Sequence, residues 1–415
     1  MPKLVMLMLD AFGYTNISKK YSPFLYQLAT NSIFGEIKPL FAFRGIEPTI
    51  FSGLYPDQHN IWLDYYYDPN HSPFRWTYNP LLLFLNLFVK NIQNLYLKKI
   101  LTAPICYTTQ TINKFTQFPR TTMIPWDLLK FFNISMVKSI IEKNSIGKIH
   151  TLFDILRDNN MKSLFINFPY THSDKDTMKM FRRYYFKKKK FDFSLIRFFD
   201  LDTISHKNGP NSPKFNMTIK KTDIYIKEII ETLKKKDDDY LFLIISDHGM
   251  VKINKILNIL SYLKLLNLKI GKDYQLFLDS TLARFYTKII TIQEKIKQQL
   301  NNLKEGHFLT IEDKKRLHIP ITAIYGDLIF ASEPGTLILP NFYQGSQLAK
   351  GMHGYYSIHS DLNALFILNG KKISPRKLKK QINFIDILPT ILEILNLPPK
   401  KGIIGKSVLK KFYSE

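Results

Sequence analysis

Four short stretches of this sequence hold side chains that could do chemistry together. In LIISDHGM (243–250), the apolar run from Tyr240 to Ile245 stops at Ser246, Asp247, His248 and Gly249. That run predicts a buried strand, and open α/β sheets carry their chemistry at the carboxyl ends of strands. LVMLMLDAFG (4–13) is a second apolar run that ends in an acid, Asp10. FFDLDTISHKNGP (198–210) spaces Asp202 and His206 four apart, and GMHGYY (351–356) sets His353 between two glycines. Carboxylate oxygen and imidazole nitrogen suit zinc, manganese or iron. Two sets of three such ligands fit a two-metal site, whose ions clamp the attacking and leaving oxygens of a phosphoryl displacement. Taken singly, each of these residues is explained by a strand followed by a polar loop; the weight lies in the six together.

LDAFG, GLYPDQHNI, DTISHKNGP, SDHGM and GMHGYY, in this order and spacing, resemble the type I phosphodiesterase/nucleotide pyrophosphatase branch of the alkaline phosphatase superfamily. The resemblance runs from residue 3 to about residue 408, with an insert after residue 68, and INFIDILPTILEILNLPP resembles the closing helix of that family. It implies an α/β fold with an alkaline-phosphatase-like core, a mostly parallel sheet flanked by helices. It implies a two-metal-dependent hydrolase or phosphotransferase acting on a phosphoric ester, a diester first of all. By the same resemblance Asp10, Asp247 and His248 would hold one divalent ion and Asp202, His206 and His353 the other, zinc or manganese being expected.

At one place the chain departs from this pattern. The family carries a Thr or Ser nucleophile at a helix N-terminus, ten residues before the Gly of its GLYP stretch. That Gly is Gly53 here, so the position falls on Phe43, in FAFRGIEPTIFSG, and the family's phosphate-holding Asn falls on Asp64. Without a hydroxyl at 43, a water activated by a divalent ion could attack directly. Thr49 or Ser52 could serve if the loop differs, although both should lie deeper in the helix. Otherwise the cradle binds a phosphate ester without turning it over. Arg44 stands where a helix N-terminus presents backbone amides to an anion, and a guanidinium there could grip a phosphate with two hydrogen bonds; it could equally be a surface arginine. Glu47 and Asp64 are candidates for a base or a further ligand. His59 reads as a structural or helix-end histidine, and His359 lies outside the pattern. The competing readings are a phosphomonoesterase or sulfatase-like hydrolase and a metal-containing binding protein.

Composition bounds these readings. The chain has 415 residues, 45% of them hydrophobic, which suffices for a large α/β core with a smaller subdomain. A single cysteine, Cys106, excludes a disulfide framework and suits a reducing compartment. The first strand begins at Lys3 with no apolar leader, so a cytoplasmic location is expected, peripheral to the membrane if residues 80–101 touch one. The formal charge of +25 fits an anionic substrate, a nucleotide or phospholipid-like phosphate ester, but much of it lies in surface runs such as FKKKKF (186–191) and LKKK (233–236). No recognised nucleic-acid fold motif accompanies the charge, so sequence-specific nucleic-acid binding is not expected.

The elements that must position these residues follow from the pattern. Residues 1–250 and 351–415 are expected to form the core, with an aromatic-rich helical insert at about 70–146 and a small α+β subdomain at 251–350. Helices are expected at 23–33, 44–52, 147–160, 212–236 and 386–395, and 171–191 reads as a polar loop and helix edge. PLLLFLNLFVKNIQNLYLKKIL (80–101) has too many amides and lysines for a spanning helix. It reads as a helix capping its own domain, or as an amphipathic helix at a membrane surface with Lys90, Lys98 and Lys99 toward headgroups.

Overall fold

The computed structural model describes residues 3–89, 91–92, 94–114, 123–167, 170–186, 190–236, 239–356, 359–398 and 402–410. Lys90 and parts of the charged runs at 186–191 and 237–239 lie outside these residues. The core strands, in chain order, are β1 (Lys3–Leu9), β2 (Ile33–Ile37), β3 (Ser163–Ile166), β4 (Phe193–Phe198), β5 (Tyr240–Ser246), β6 (Ala364–Asn369) and β7 (Arg376–Lys377). They form one sheet in the order β7-β2-β6-β5-β1-β4-β3. The four strands from β5 to β3 run parallel, and β6 is antiparallel to both of its neighbours. The fold is therefore α/β with a mostly parallel sheet, as expected.

Near-continuous apolar strands such as β1 and β5 belong in a sheet covered on both faces. On one face, Met6, Met8, Leu243 and Ile245 pack with Ile46 and Ile50 of the helix Ile46–Ser52 and with the helix Ile387–Ile394. On the other, Val5, Leu7, Phe242 and Ile244 pack with Ile219, Ile226 and Ile230 of the helix Pro213–Lys234. Each fully buried side chain of this size contributes roughly 1.5–3 kcal/mol.

A second sheet, antiparallel throughout, orders Gln275–Leu278, Leu282–Tyr286, Leu328–Ser332 and Gly306–Phe308. Its core also takes in Tyr65, Phe74, Phe132 and Ile134, so both ends of the region expected as a helical insert pack into the subdomain rather than standing apart.

Two local expectations are corrected. The stretch 171–191 contains a regular helix, Asp174–Phe186, whose Met178 and Phe181 enter the core at helical spacing; its lysines concealed that period. Residues 80–101 are not one helix but parts of two, Pro80–Val89 and Leu95–Asn113. Asn94 starts the second: its side-chain oxygen accepts from the backbone N–H of Tyr96 and Leu97, which is how an N-cap satisfies the first free amides of a helix.

Candidate metal and phosphoryl-transfer site

The register of the sheet builds the first half of the site. Leu9 pairs with Ser246, so the next residues, Asp10 and Asp247, leave the carboxyl ends of adjacent parallel strands side by side. Asp247 Oδ1 is fixed by two backbone donors, the N–H of Ala11 at 3.1 Å and of His248 at 2.9 Å. His248 Nδ1 lies 2.9 Å from the Gly249 carbonyl, which places the proton on Nδ1 and leaves the Nε2 lone pair free. That Nε2 lies 3.6 Å from Asp10 Oδ1 and 3.7 Å from Asp247 Oδ1. The turn that follows admits only glycine: a Cβ at Gly249 would stand 1.8 Å from the Asp361 carbonyl oxygen.

Asp202 and His206 come from one face of the helix Asp200–Asn208, where residues four apart are neighbours. Asp202 Oδ1 lies 3.3 Å from His206 Nε2 and 3.8 Å from His353 Nε2. His353 reaches them because Gly351–Met352 pairs antiparallel with Val251–Lys252, directly after the SDHGM turn. His206 Nδ1 donates to the Gly351 carbonyl at 2.8 Å, again turning Nε2 to the site. The two halves touch where the His248 and His353 rings stack, 3.7 Å apart and 12° from parallel.

Both groups fit a divalent cation. In each, one potential ligand atom from each of the three residues lies within 4.8 Å of the other two. Asp202 Oδ1 and His353 Nδ1 are buried atoms that make no hydrogen bond, and a buried polar atom without a partner is costly. Burial works against the Asp202 carboxylate, but His206 above all outweighs it and holds its pKa well below the usual range. Burial, with His248 and His206 adding to it, keeps His353 neutral, as a metal ligand must be. Burial and the neighbouring Asp247 raise Asp10 well above the usual carboxylate range, against the opposing pull of Arg197.

Arg197 is the site residue that sequence reasoning missed. Its Nη2 donates to Asp10 Oδ2 at 2.8 Å and to Asp247 Oδ2 at 3.0 Å, and its Nη1 bonds Glu47. Burial works against its charge, but Asp10, Glu47 and Asp247 outweigh that and raise its pKa. It pairs with Met8 across β1 and β4, on the sheet face where Phe193 and Leu195 are core residues. One signal could have found it: a charged residue inside the apolar run SLIRFF, five positions before Asp202. Glu47 is thus neither a free base nor a ligand of the two groups; it completes the set of carboxylates around Arg197.

The other candidates divide. Phe43 is half-exposed, and its ring meets His353 edge-on at 5.6 Å and Tyr343 at 6.4 Å. Thr49 and Ser52 are buried, and Thr49 Oγ1 is 3.1 Å from His59 Nε2, so neither hydroxyl faces the site. Arg44 Nε lies 3.3 Å from Asp64 Oδ1, and its Nη2 reaches the Met136 carbonyl. Asp64 also accepts from the Tyr343 hydroxyl at 3.3 Å. Arg44 and Asp64 are therefore partners beside Phe43, linked to it through Tyr343. His59 is buried and structural, and His359 caps its own turn through the Asp361 N–H.

Residues 4–356 match the family described as type I phosphodiesterase / nucleotide pyrophosphatase. Human ectonucleotide pyrophosphatase/phosphodiesterase family member 5 is 24% identical over 240 residues, 55% of this chain and 48% of the relative. An uncharacterized pyrophosphatase/phosphodiesterase of Schizosaccharomyces pombe is 28% identical over 221 residues, 49% of this chain and 44% of the relative. The matched part is about half the length of these curated relatives. Among solved structures, human ectonucleotide pyrophosphatase/phosphodiesterase 5 superposes with a TM-score of 0.68 at 16% identity, covering 96% of each chain. The murine protein, solved as an inactive variant in complex with AMP, gives 0.67 at 16% identity and covers 97% of each. At that identity the likeness is one of fold.

Proposed function

This chain belongs to the type I phosphodiesterase/nucleotide pyrophosphatase family, and we propose that it hydrolyses a phosphodiester with the help of two divalent ions, zinc or manganese. The observation that carries this reading is the pair of three-ligand groups joined at the stacked rings of His248 and His353. Asp10, Asp247 and His248 would hold one ion and Asp202, His206 and His353 the other. Such a pair would supply Lewis-acid polarisation of the phosphoryl group and offset the charge that develops during its displacement.

The chain's own residues set the rest. Phe43 carries no group that could be phosphorylated, so the ester is cleaved in a single displacement. Water attacks phosphorus, the ester oxygen leaves, and the proton of the water ends on solvent or on the leaving oxygen. Arg44, steadied by Asp64 and the Met136 carbonyl, offers its guanidinium to a nonbridging oxygen. Arg197 keeps the Oδ2 atoms of Asp10 and Asp247 engaged, so their Oδ1 atoms face His248 Nε2. A nucleotide is the proposed substrate class: the family name points to it, and the murine fold neighbour was solved with AMP. The aromatic edges of Phe43 and Tyr343 beside His353 suit a planar base. A single cysteine in 415 residues suits the reducing cytoplasm proposed as its location.

The test is hydrolysis of bis-p-nitrophenyl phosphate and of the monoester p-nitrophenyl phosphate by protein reconstituted separately with zinc and manganese. Turnover of the diester, lost in Asp247→Ala, supports the reading. Preference for the monoester replaces it with a phosphomonoesterase. Bound metal with no turnover of either leaves a phosphate-ester-binding protein.

A further inference from the structure

We propose that the two helices Pro80–Val89 and Leu95–Asn113 rest on a bilayer surface that carries anionic phospholipid. This goes beyond the reading of the catalytic site and does not depend on it.

The two helices are inverted relative to helices that face water. A water-facing helix turns an apolar stripe inward and polar residues outward. Pro80–Val89 buries Asn86 and Val89 and exposes Leu81, Phe84, Leu85, Leu87 and Phe88. Phe84 and Leu81 are 58% and 65% exposed, an extent that has no role in water. Leu95–Asn113 buries Thr102, Ile105 and Thr109 and exposes Tyr96, Leu97, Ile100, Leu101, Tyr107 and Ile112. The buried polar groups are satisfied: Asn86 donates to Asp127 at 3.1 Å, and Thr109 accepts from Trp76 Nε1 at 3.2 Å. The inner side is thus a finished polar and aromatic seam, held by Leu82, Val89, Ile105, Trp76 and Trp126. What remains outside is a set of large exposed apolar side chains on each helix, and clustered exposed apolar residues mark an interaction site.

Charge identifies the occupant. From Pro69 through Trp126 the chain has no Asp or Glu, and its charged residues are Arg75, Lys90, Lys98, Lys99, Lys114 and Arg120. A second copy would bring the same positive charge and be repelled. An anionic bilayer supplies the complementary sign together with an apolar phase that needs no matching shape. Lys98 and Lys99 sit among Leu97, Ile100 and Leu101, where their long stems can follow the apolar surface while the ammonium groups reach lipid phosphates. Among the described residues no helix is long and apolar enough to cross a membrane, so the contact is with the surface.

The test is co-sedimentation of the full chain with vesicles of phosphatidylcholine, with and without phosphatidylserine. Binding to the phosphatidylserine vesicles that weakens with added salt is expected. Phe84→Glu/Phe88→Glu should lower the bound fraction roughly tenfold or more, and Lys98→Glu/Lys99→Glu should remove the preference for phosphatidylserine. Phe84, Phe88 and Lys99 are exposed and Lys98 is partly buried, so thermal midpoint and metal binding of both variants are measured beside sedimentation and should match the wild type, which separates a lost surface from a lost fold. Wild-type protein that stays in the supernatant, or a Phe84→Glu/Phe88→Glu variant that sediments as the wild type does, overturns the proposal. So does a wild-type dimer in sedimentation velocity that this variant dissolves, since the face would then be an interface between copies.

Discussion

Arg197 Nη2 donates to Asp10 Oδ2 at 2.8 Å, which sets a guanidinium against a carboxylate whose other oxygen belongs to a candidate metal-ligand group. The same nitrogen holds Asp247 Oδ2, so one side chain fixes both acids of that group and offsets part of their charge. Arg197→Met would leave Asp10, Asp247 and Glu47 together without their counter-ion. Removing one partner of a buried ion pair typically costs about 3–5 kcal/mol. We expect a loss of that size in urea unfolding of chelator-treated protein and a smaller loss when zinc is present, because the ion replaces part of the missing charge. An equal loss with and without zinc would show that Arg197 and the metal group act independently.

Asp202→Asn should remove one bound ion and spare the other. Its Oδ1 is the buried, unbonded atom between His206 and His353, while Asp10, Asp247 and His248 form their group without it. Equilibrium dialysis should give two ions for the wild type and one for the variant. The variant should also lose stabilisation by metal, about 2.7 kcal/mol for a site held at a hundred times its Kd. Two ions in the variant would refute the assignment.

Phe43→Thr restores a hydroxyl beside His353, where the ring now stands 5.6 Å away. A covalent intermediate splits one difficult displacement into two easier ones. We expect diester turnover to rise about tenfold or more and a phosphorylated Thr to be trapped by acid quenching. Unchanged turnover with no trapped phosphoprotein would mean that residue 43 does not face the reacting phosphorus.

His59 gives the protein an acid-sensitive joint. Its Nδ1 accepts from the Ile61 N–H at 3.1 Å, so the ring is neutral with its proton on Nε2, toward Thr49. Burial lowers its pKa from 6.5 to about 3. The unfolded chain therefore binds a proton below pH 6.5 that the folded chain refuses until about pH 3. Stability contributed by neutral His59 is present above pH 6.5 and falls by at most about 1.4 kcal/mol per pH unit below it. In denaturant titrations, His59→Gln should flatten the decline between pH 6.5 and about 5 relative to the wild type. Parallel declines would assign the acid sensitivity to other groups.

The six candidate ligand residues were legible in the sequence because each carries a local mark. Asp10 and Asp247 end apolar runs, His248 follows Asp247 directly before a glycine, Asp202 and His206 stand one helical turn apart, and His353 sits between glycines. The sheet class was legible for the same reason, since buried parallel strands are unbroken apolar runs. Which ligands meet was not a local matter. It took the register Leu9↔Ser246 to set Asp10 beside Asp247, and the pairing of Gly351–Met352 with Val251–Lys252 to bring His353 to His248. Arg197 also needed the tertiary structure: nothing local shows that the one charge in its strand will find three carboxylates from β1, β5 and the helix Ile46–Ser52. The same holds for the helices after residue 80. Their periodicity shows an apolar stripe but not its direction, and only the burial of Asn86, Thr102 and Thr109, with Val89 and Ile105 packed among Trp76 and Trp126, decided that the leucines and phenylalanines face out. Periodicity is a property of neighbours along the chain. The site and the outward apolar face are made by residues far apart in it, whose meeting is fixed by strand register and packing.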